Sequence, residues 1–215
     1  MGVLMNKQSK IWDRFAKGYA KKPIENEVAY QHKLDTTRKL LRPDMNVLEF
    51  GCGTGGTAIL HAPFVKQIHA IDISAKMLEF ANTKFDKSDV PNVTFERVGI
   101  DEFEAPDETY DVVFGMSILH LLADKEAVIS KVYKMLKPGG LFITSTVCAG
   151  DTMKYLKIVA AVGNFFGFLP LIRVFSTDQL VKSITDAEFE IDYQWSHGKG
   201  KSVFIIANKR PNSHR

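Results

Sequence analysis

Val47-Leu48-Glu49-Phe50-Gly51-Cys52-Gly53-Thr54-Gly55-Gly56 runs an apolar strand into a glycine-rich turn, with an acid two residues before the first glycine. Glycines at 51, 53 and 55 clear the Cβ atoms from one side of the turn, so the backbone can take positive φ without strain and approach a bound molecule closely. Thr57-Ala58-Ile59-Leu60 can then open a helix whose first N–H groups, lacking partners of their own, face that molecule. About 20 residues on, Gln67-Ile68-His69-Ala70-Ile71 reads as a second strand ending at Asp72, where a carboxylate can accept from both hydroxyls of a ribose. The pattern describes a nucleoside-cofactor site.

Gly51, Gly53 and Gly56 also satisfy the G-x-G-x-x-G spacing of dinucleotide folds. The glycines alone therefore leave two classes open, an NAD(P)-dependent oxidoreductase and a user of S-adenosylmethionine. Glu49 argues against a pyrophosphate, because a carboxylate beside the loop repels phosphate, whereas it suits the ammonium of a methionyl group. The loop is also preceded by about forty-five residues that include a helical segment, while a dinucleotide fold often begins at its fingerprint.

From about Ile11 to Lys209 the chain resembles class I S-adenosylmethionine-dependent methyltransferases. Glu49 through Gly55 matches their acid-x-G-x-G-x-G motif, and Asp72 their ribose-binding acid. Tyr110-Asp111-Val112-Val113-Phe114 matches their fourth strand, and Leu136-Lys137-Pro138-Gly139-Gly140-Leu141 their turn before the fifth. The resemblance implies an α/β fold: a Rossmann-like, seven-stranded, mostly parallel sheet with helices on both faces and the last strand antiparallel. It implies a single domain over residues 1–215, with N-terminal capping helices (1–42), a cofactor-binding core (43–148), an acceptor lid (149–175) and a C-terminal helix and hairpin (176–209).

The same resemblance assigns residues to the donor, S-adenosyl-L-methionine. Glu49 and the turn at Gly51, Cys52 and Gly53 hold the methionyl end, Asp72 holds the ribose, and Ile73 and Met77 pack on the adenine. Where the family often has an acid after strand three this chain has Gly99, so Ile100 offers a backbone N–H to the ring and Asp101 takes the amino contact one residue later. Tyr19 and Tyr30, in the N-terminal helices, close over the donor. Gly115-Met116-Ser117-Ile118-Leu119-His120 follows strand four, where Met116 lines the site and His120 is the candidate general base, an imidazole of ordinary pKa about 6.5. Methyl transfer to an amine or enolate needs no base, and the missing acid at Gly99 keeps a second reading open, a non-catalytic donor-binding protein.

Composition sets the wider bounds. With 215 residues, 45% of them hydrophobic, the chain has enough apolar surface for a buried core, and a net charge of +3 made of scattered Lys and Arg does not demand nucleic acid. Cys52 and Cys148 form no C-x-x-C pair, so neither a disulfide framework nor a metal site is expected, and a reducing compartment is. Lys7, Lys10, Asp13 and Arg14 interrupt the start too early for a secretory apolar region, which makes cytoplasmic the expected location. The uncharged run from Ile158 to Ile172 is shorter than a bilayer span of about 20 residues and contains Gly163, Gly167 and Pro170.

Periodicity and caps fill in the elements. Helices are expected over Ile11–Tyr19, Glu25–Leu41, Ala75–Lys84 capped by Ser74, Lys125–Leu136 capped by Asp124, and after Ser176 to about Ala187. Strands are expected over Asn46–Phe50, Gln67–Ile71, Val93–Val98, Leu141–Thr146, Phe189–Gln194 and Ser202–Ala207. The last two, joined by Gly198-Lys199-Gly200-Lys201, must be antiparallel, which a purely parallel dinucleotide domain does not provide.

For the acceptor, no Asp/Asn-Pro-Pro-aromatic slot for a flipped base follows strand four and no Pro-Cys pair supplies a thiolate, so a small molecule is expected in place of nucleic acid. The insertion after strand five carries Tyr155, Leu156, Ile158, Val159, Val162, Phe165, Phe166, Phe168, Leu169, Leu171 and Ile172. Where the resemblance places an acceptor lid, it points to a partly apolar acceptor and to contact with a membrane surface; packing on the core or a dimer face is the other reading.

Overall fold

A computed structural model of the chain describes residues 2–152, 164, 166, 168–198 and 201–211. The chain folds as two compact units, Met1–Glu102 and Phe103–Arg215. Together their strands make one seven-stranded sheet in the order β3-β2-β1-β4-β5-β7-β6.

The first unit contains α1 (Gly2–Lys21), α2 (Glu27–Arg38), β1 (Asn46–Phe50), α3 (Gly56–His61), β2 (Gln67–Ile71), α4 (Ala75–Phe85) and β3 (Val93–Glu96). β1 pairs with β2 and β2 with β3, both parallel. Val47, Leu48 and Phe50 are fully buried, as a parallel strand covered on two sides requires. The Asn26 side chain accepts from Ala29 N to start α2, and Ser74 accepts from Met77 N to start α4, which buries Met77, Leu78 and Ala81. Three elements differ by two residues or more from the bounds expected from sequence. α1 begins nine residues earlier than Ile11, α2 is shorter at both ends, and β3 stops at Glu96. Of the helices in this unit, only α4 had its capping residue, Ser74, assigned from sequence.

The second unit contains β4 (Tyr110–Met116), α5 (Lys125–Met135), β5 (Leu136–Val147), α6 (Thr177–Asp186), β6 (Phe189–Ser196) and β7 (Ser202–Lys209). Asp124 caps α5 by accepting from Ala127 N, and Ser176 caps α6 in a reciprocal capping box with Gln179. β4 and β5 are parallel, whereas β7 runs antiparallel to both β5 and β6. Among the strands of this unit β7 alone is thus reversed, as the short terminal connection demanded.

One element is corrected. The Lys137-Pro138-Gly139-Gly140 stretch was expected as a turn before the strand, but β5 runs through it, with the pairing jumping from Tyr110–Leu136 to Val112–Leu141. It is a bulge: Gly139 takes φ +77°, and Lys137 reaches back 2.8 Å to Asp111.

Of the apolar residues expected in a lid, Tyr155, Leu156, Ile158, Val159, Val162 and Phe165 lie outside the described residues, as do Lys199 and Gly200 of the terminal turn. Phe166 and Phe168 are 64% and 72% exposed, and their rings stack with centroids 6.4 Å apart. Among the described residues no helix is long and apolar enough to cross a membrane, and no cluster could hold a metal ion.

Candidate functional site

The glycine turn adopts the conformation its sequence called for. Gly51, Gly53 and Gly55 have φ of 66°, 54° and 72°. At Gly55 a Cβ would also stand 2.9 Å from Phe95 Cζ and 3.0 Å from Ala81 Cβ, so packing excludes a side chain there independently of the backbone. The bend is closed by Gly55 N donating to Cys52 O at 3.0 Å and is tied to β2 by Cys52 N donating to Ile71 O at 3.1 Å.

Glu49, on β1, is only 2% exposed. Ala58 N–H and the Thr57 hydroxyl donate to its carboxylate, so the first turn of α3 is partly spent on this side chain and does not simply face outward. The other oxygen, Oε2, is shielded from solvent and has no hydrogen-bond partner. Burial dominates over those two donors, and with help from the charge of Asp72 it raises the Glu49 pKa to about 8. A buried carboxyl with an unpaired oxygen has room to take a further hydrogen-bond donor or a cation.

Asp72 does more than the sequence suggested. Its Oδ2 accepts from Gly53 N and its Oδ1 from Ser74 N, each at 2.8 Å. The carboxylate thus joins the glycine turn to the corner after β2. Burial raises its pKa, the Ser74 and Gly53 N–H groups lower it, and Asp13 raises it again. Each oxygen keeps further lone-pair capacity for a hydroxyl.

Tyr19, Tyr30, Cys52, Ile73, Met77, Ile100 and Asp101, the other residues expected at the donor, also lie in the first unit. A Cβ on Gly53 would lie 3.8 Å from Tyr19 Cε1, so that ring sits over the turn, although Tyr19 as a whole is 49% exposed. Partial burial and the charges of Glu49 and Asp72 raise the Tyr19 pKa, and burial followed by Glu49 raises that of Tyr30. Cys52 is buried, and that burial with the two carboxylates holds its thiol protonated, as suits a small turn residue and not a nucleophile. Ile73 is half-buried, Met77 and Ile100 are buried, and Asp101 lies in a turn closed by Glu102 N donating to Gly99 O at 3.0 Å.

Met116 and His120 belong to the second unit. Met116 ends β4, and Ser117 follows in the left-handed region at φ 58°, uncommon for a residue with a Cβ, with its N–H 2.6 Å from Ser145 O. His120 lies in a short 3₁₀ turn, Leu119–Leu121. Its Nδ1 is shielded without a partner, its carbonyl accepts from Arg173 N at 2.7 Å, and burial lowers its pKa to about 4. The ring is therefore neutral at physiological pH, well below the ordinary imidazole value expected from sequence.

Residues 41–210 match the methyltransferase domain family. This chain belongs to that family. Family membership favours the methyltransferase of the two classes that the glycine spacing left open. Among relatives, the chain is 31% identical over 185 residues to the ubiquinone biosynthesis O-methyltransferase of Rhizobium etli, covering 78% of this chain and 73% of that one. It is 31% identical over 171 residues to phosphoethanolamine N-methyltransferase 3 of Arabidopsis thaliana, covering 69% of this methyltransferase-family chain but only 35% of the plant protein. The YcgJ protein of Bacillus subtilis has the same fold, with TM-score 0.70 and 17% identity over 85% of this chain and 100% of that one.

Sequence reading missed Asp13, Ser9 and Arg97, which hold the corner after Asp72. Ser74 donates to Asp13 Oδ1 at 2.6 Å, Ser9 Oγ donates to Ile73 O at 2.9 Å, and Arg97 Nη2 donates to Ser9 Oγ at 3.2 Å. These partners are 61 to 88 residues apart in the chain, beyond any local pattern.

Proposed function

We propose that the chain binds S-adenosylmethionine at the Glu49–Gly53–Asp72 turn and moves its methyl group to a small, partly apolar acceptor. The observation that carries this reading is the buried Glu49 carboxyl with its unpartnered Oε2, which fits the methionyl ammonium of the donor and opposes a pyrophosphate. When bound, the donor supplies a methyl group already activated on a sulfonium, so the protein's task is alignment of the acceptor. Glu49 would hold the amino end, the Asp72 carboxylate would add the ribose hydroxyls to its two backbone partners, and Ile73 would lie against the ring. Exposed, stacked Phe166 and Phe168 favour an acceptor with an apolar part. Titration calorimetry should give binding of adenosylhomocysteine and none of NAD; the reverse would overturn the reading. Labelled donor incubated with a cell metabolite extract should then mark the acceptor, identified by mass spectrometry.

Asp72→Ala should weaken adenosylhomocysteine binding by about 1.5–3 kcal/mol, as expected for a charge-assisted hydrogen bond. It should also lower the melting temperature, because Gly53 N–H and Ser74 N–H lose their acceptor. Unchanged affinity in a folded variant would leave Asp72 with its structural duty alone.

His120, in the role of general base, must act as a neutral imidazole. A base works above its pKa, so its protonation should cut kcat/KM only near pH 4 and not near 6.5. His120→Gln should slow turnover and remove that acidic limb while leaving donor affinity within about twofold. An unaltered rate would return the ring to packing.

A further inference from the structure

We propose that Asp13 is a positioning residue: it latches α1 across the donor turn, so that donor binding and docking of α1 are one coupled event. The inference rests on the donor site proposed above and adds its closure.

The geometry is a bridge. Asp13 Oδ1 takes two hydrogen bonds at the start of α4, from Ser74 Oγ at 2.6 Å and from Lys76 N at 3.1 Å. Ser74 is shared between both ends of the network, because its own N–H donates to Asp72 Oδ1 while its Oγ also accepts from Met77 N at 3.1 Å. Four residues before Asp13, Ser9 Oγ donates to Ile73 O, which Arg97 Nε also meets at 3.3 Å. The segment that presents Asp72 is thus gripped from α1 on one side and from the chain after β3 on the other.

Tyr19 stands six residues beyond Asp13 on the same helix, about 9 Å further along at 1.5 Å per residue. Its ring lies over Gly53, the other residue that Asp72 holds. One rigid helix therefore contacts the cradle at both ends, with a charged, part-buried latch at Ser74 and a half-exposed aromatic ring over the turn. A helix docked this way covers the donor when the latch is made and uncovers it when the latch opens. The carboxylate of Asp13 also raises the Asp72 pKa, so latch and cradle communicate through charge as well as through Ser74.

The experiment is a double-mutant cycle on adenosylhomocysteine affinity, using wild type, Asp13→Ala, Tyr19→Ala and the pair, with Asp13→Asn as the conservative variant. Failure of the wild type to bind would sink the donor site itself, and is read first. If it binds, Asp13→Ala should weaken affinity by about tenfold, and Tyr19→Ala should cost much less in the Asp13→Ala background than alone, since an unlatched helix no longer holds the ring in place. Asp13→Asn, which keeps an acceptor oxygen for Ser74 and Lys76, should recover affinity to within about threefold. Amide exchange across residues 7–21 should slow on ligand addition in wild type and not in Asp13→Ala. Additive effects of the two substitutions, or unchanged affinity in a folded Asp13→Ala protein, would overturn the proposal and leave Asp13 as a helix cap only.

Discussion

Glu49→Gln is expected to reduce adenosylmethionine affinity by about a hundredfold, in line with the loss of one partner from a buried ion pair, while making the empty protein more stable above neutral pH. The two effects have opposite signs because they come from opposite ends of one titration. In the empty protein the carboxyl holds its proton up to about pH 8, against an ordinary value of 4.5. A raised folded-state pKa means that the folded chain binds the extra proton, so this contribution to stability is complete below 4.5 and is lost as pH climbs through about 8. The loss is on the order of a few kcal/mol, and glutamine, which never ionises, escapes it. Thermal melts at acidic, neutral and alkaline pH should show a falling curve for wild type and a flatter one for the variant.

Ligand binding reverses the preference. A methionyl ammonium beside Oε2 favours the ionised carboxylate, so binding near neutrality should expel about one proton, and affinity should rise with pH up to about 8. Calorimetry in buffers of different ionisation enthalpy measures that proton directly. Glu49→Gln should abolish the buffer dependence; proton release that persists in the variant would place the titrating group elsewhere and remove Glu49 from the amino end.

Gly150→Ala should destabilise the fold by about 3 kcal/mol, lowering the melting temperature by about 6–12 °C for a chain of this size. Gly150 lies just past β5, and a Cβ there would stand 2.5 Å from Phe175 C and 2.7 Å from both Phe175 O and Ser176 N. All three are main-chain atoms, so no rotamer change relieves the overlap. The same contact is where the insertion closes on itself: Gly150 N donates to Phe175 O at 2.9 Å, and the Asp151 carboxylate accepts from Thr177 N at 3.0 Å and Thr177 Oγ1 at 2.6 Å. Gly56→Ala is the matched control, since nothing lies within 4 Å of its Cβ and it begins α3 in an ordinary conformation. Equal melting temperatures for the two variants would show that the closure yields without cost.

Much of the donor cradle was written locally. β1 and β2 fall where the apolar runs of residues 46–50 and 67–71 placed them, Ser74, Asp124 and Ser176 cap the helices they precede, and the three glycines of the turn all take positive φ. Each of these depends on residues within a few positions of one another, and local sterics and hydrogen bonding are legible from spacing. The bulge in β5 was missed for the complementary reason: Lys-Pro-Gly-Gly has turn chemistry, and only pairing with β4 keeps it in a strand.

The sequence by itself determined that an acid-glycine turn and a following acid would stand at the ends of adjacent parallel strands in an α/β fold whose last strand is reversed. It did not determine the electrostatic state of those acids, nor what holds them. Glu49 near pKa 8, His120 near 4 and the two N–H groups that occupy Asp72 follow from burial and from partners brought together across the fold. Desolvation depends on every atom packed around a group, and no residue's neighbours in sequence specify that. Asp13 reaching Ser74 across 61 residues is the same lesson in a single hydrogen bond.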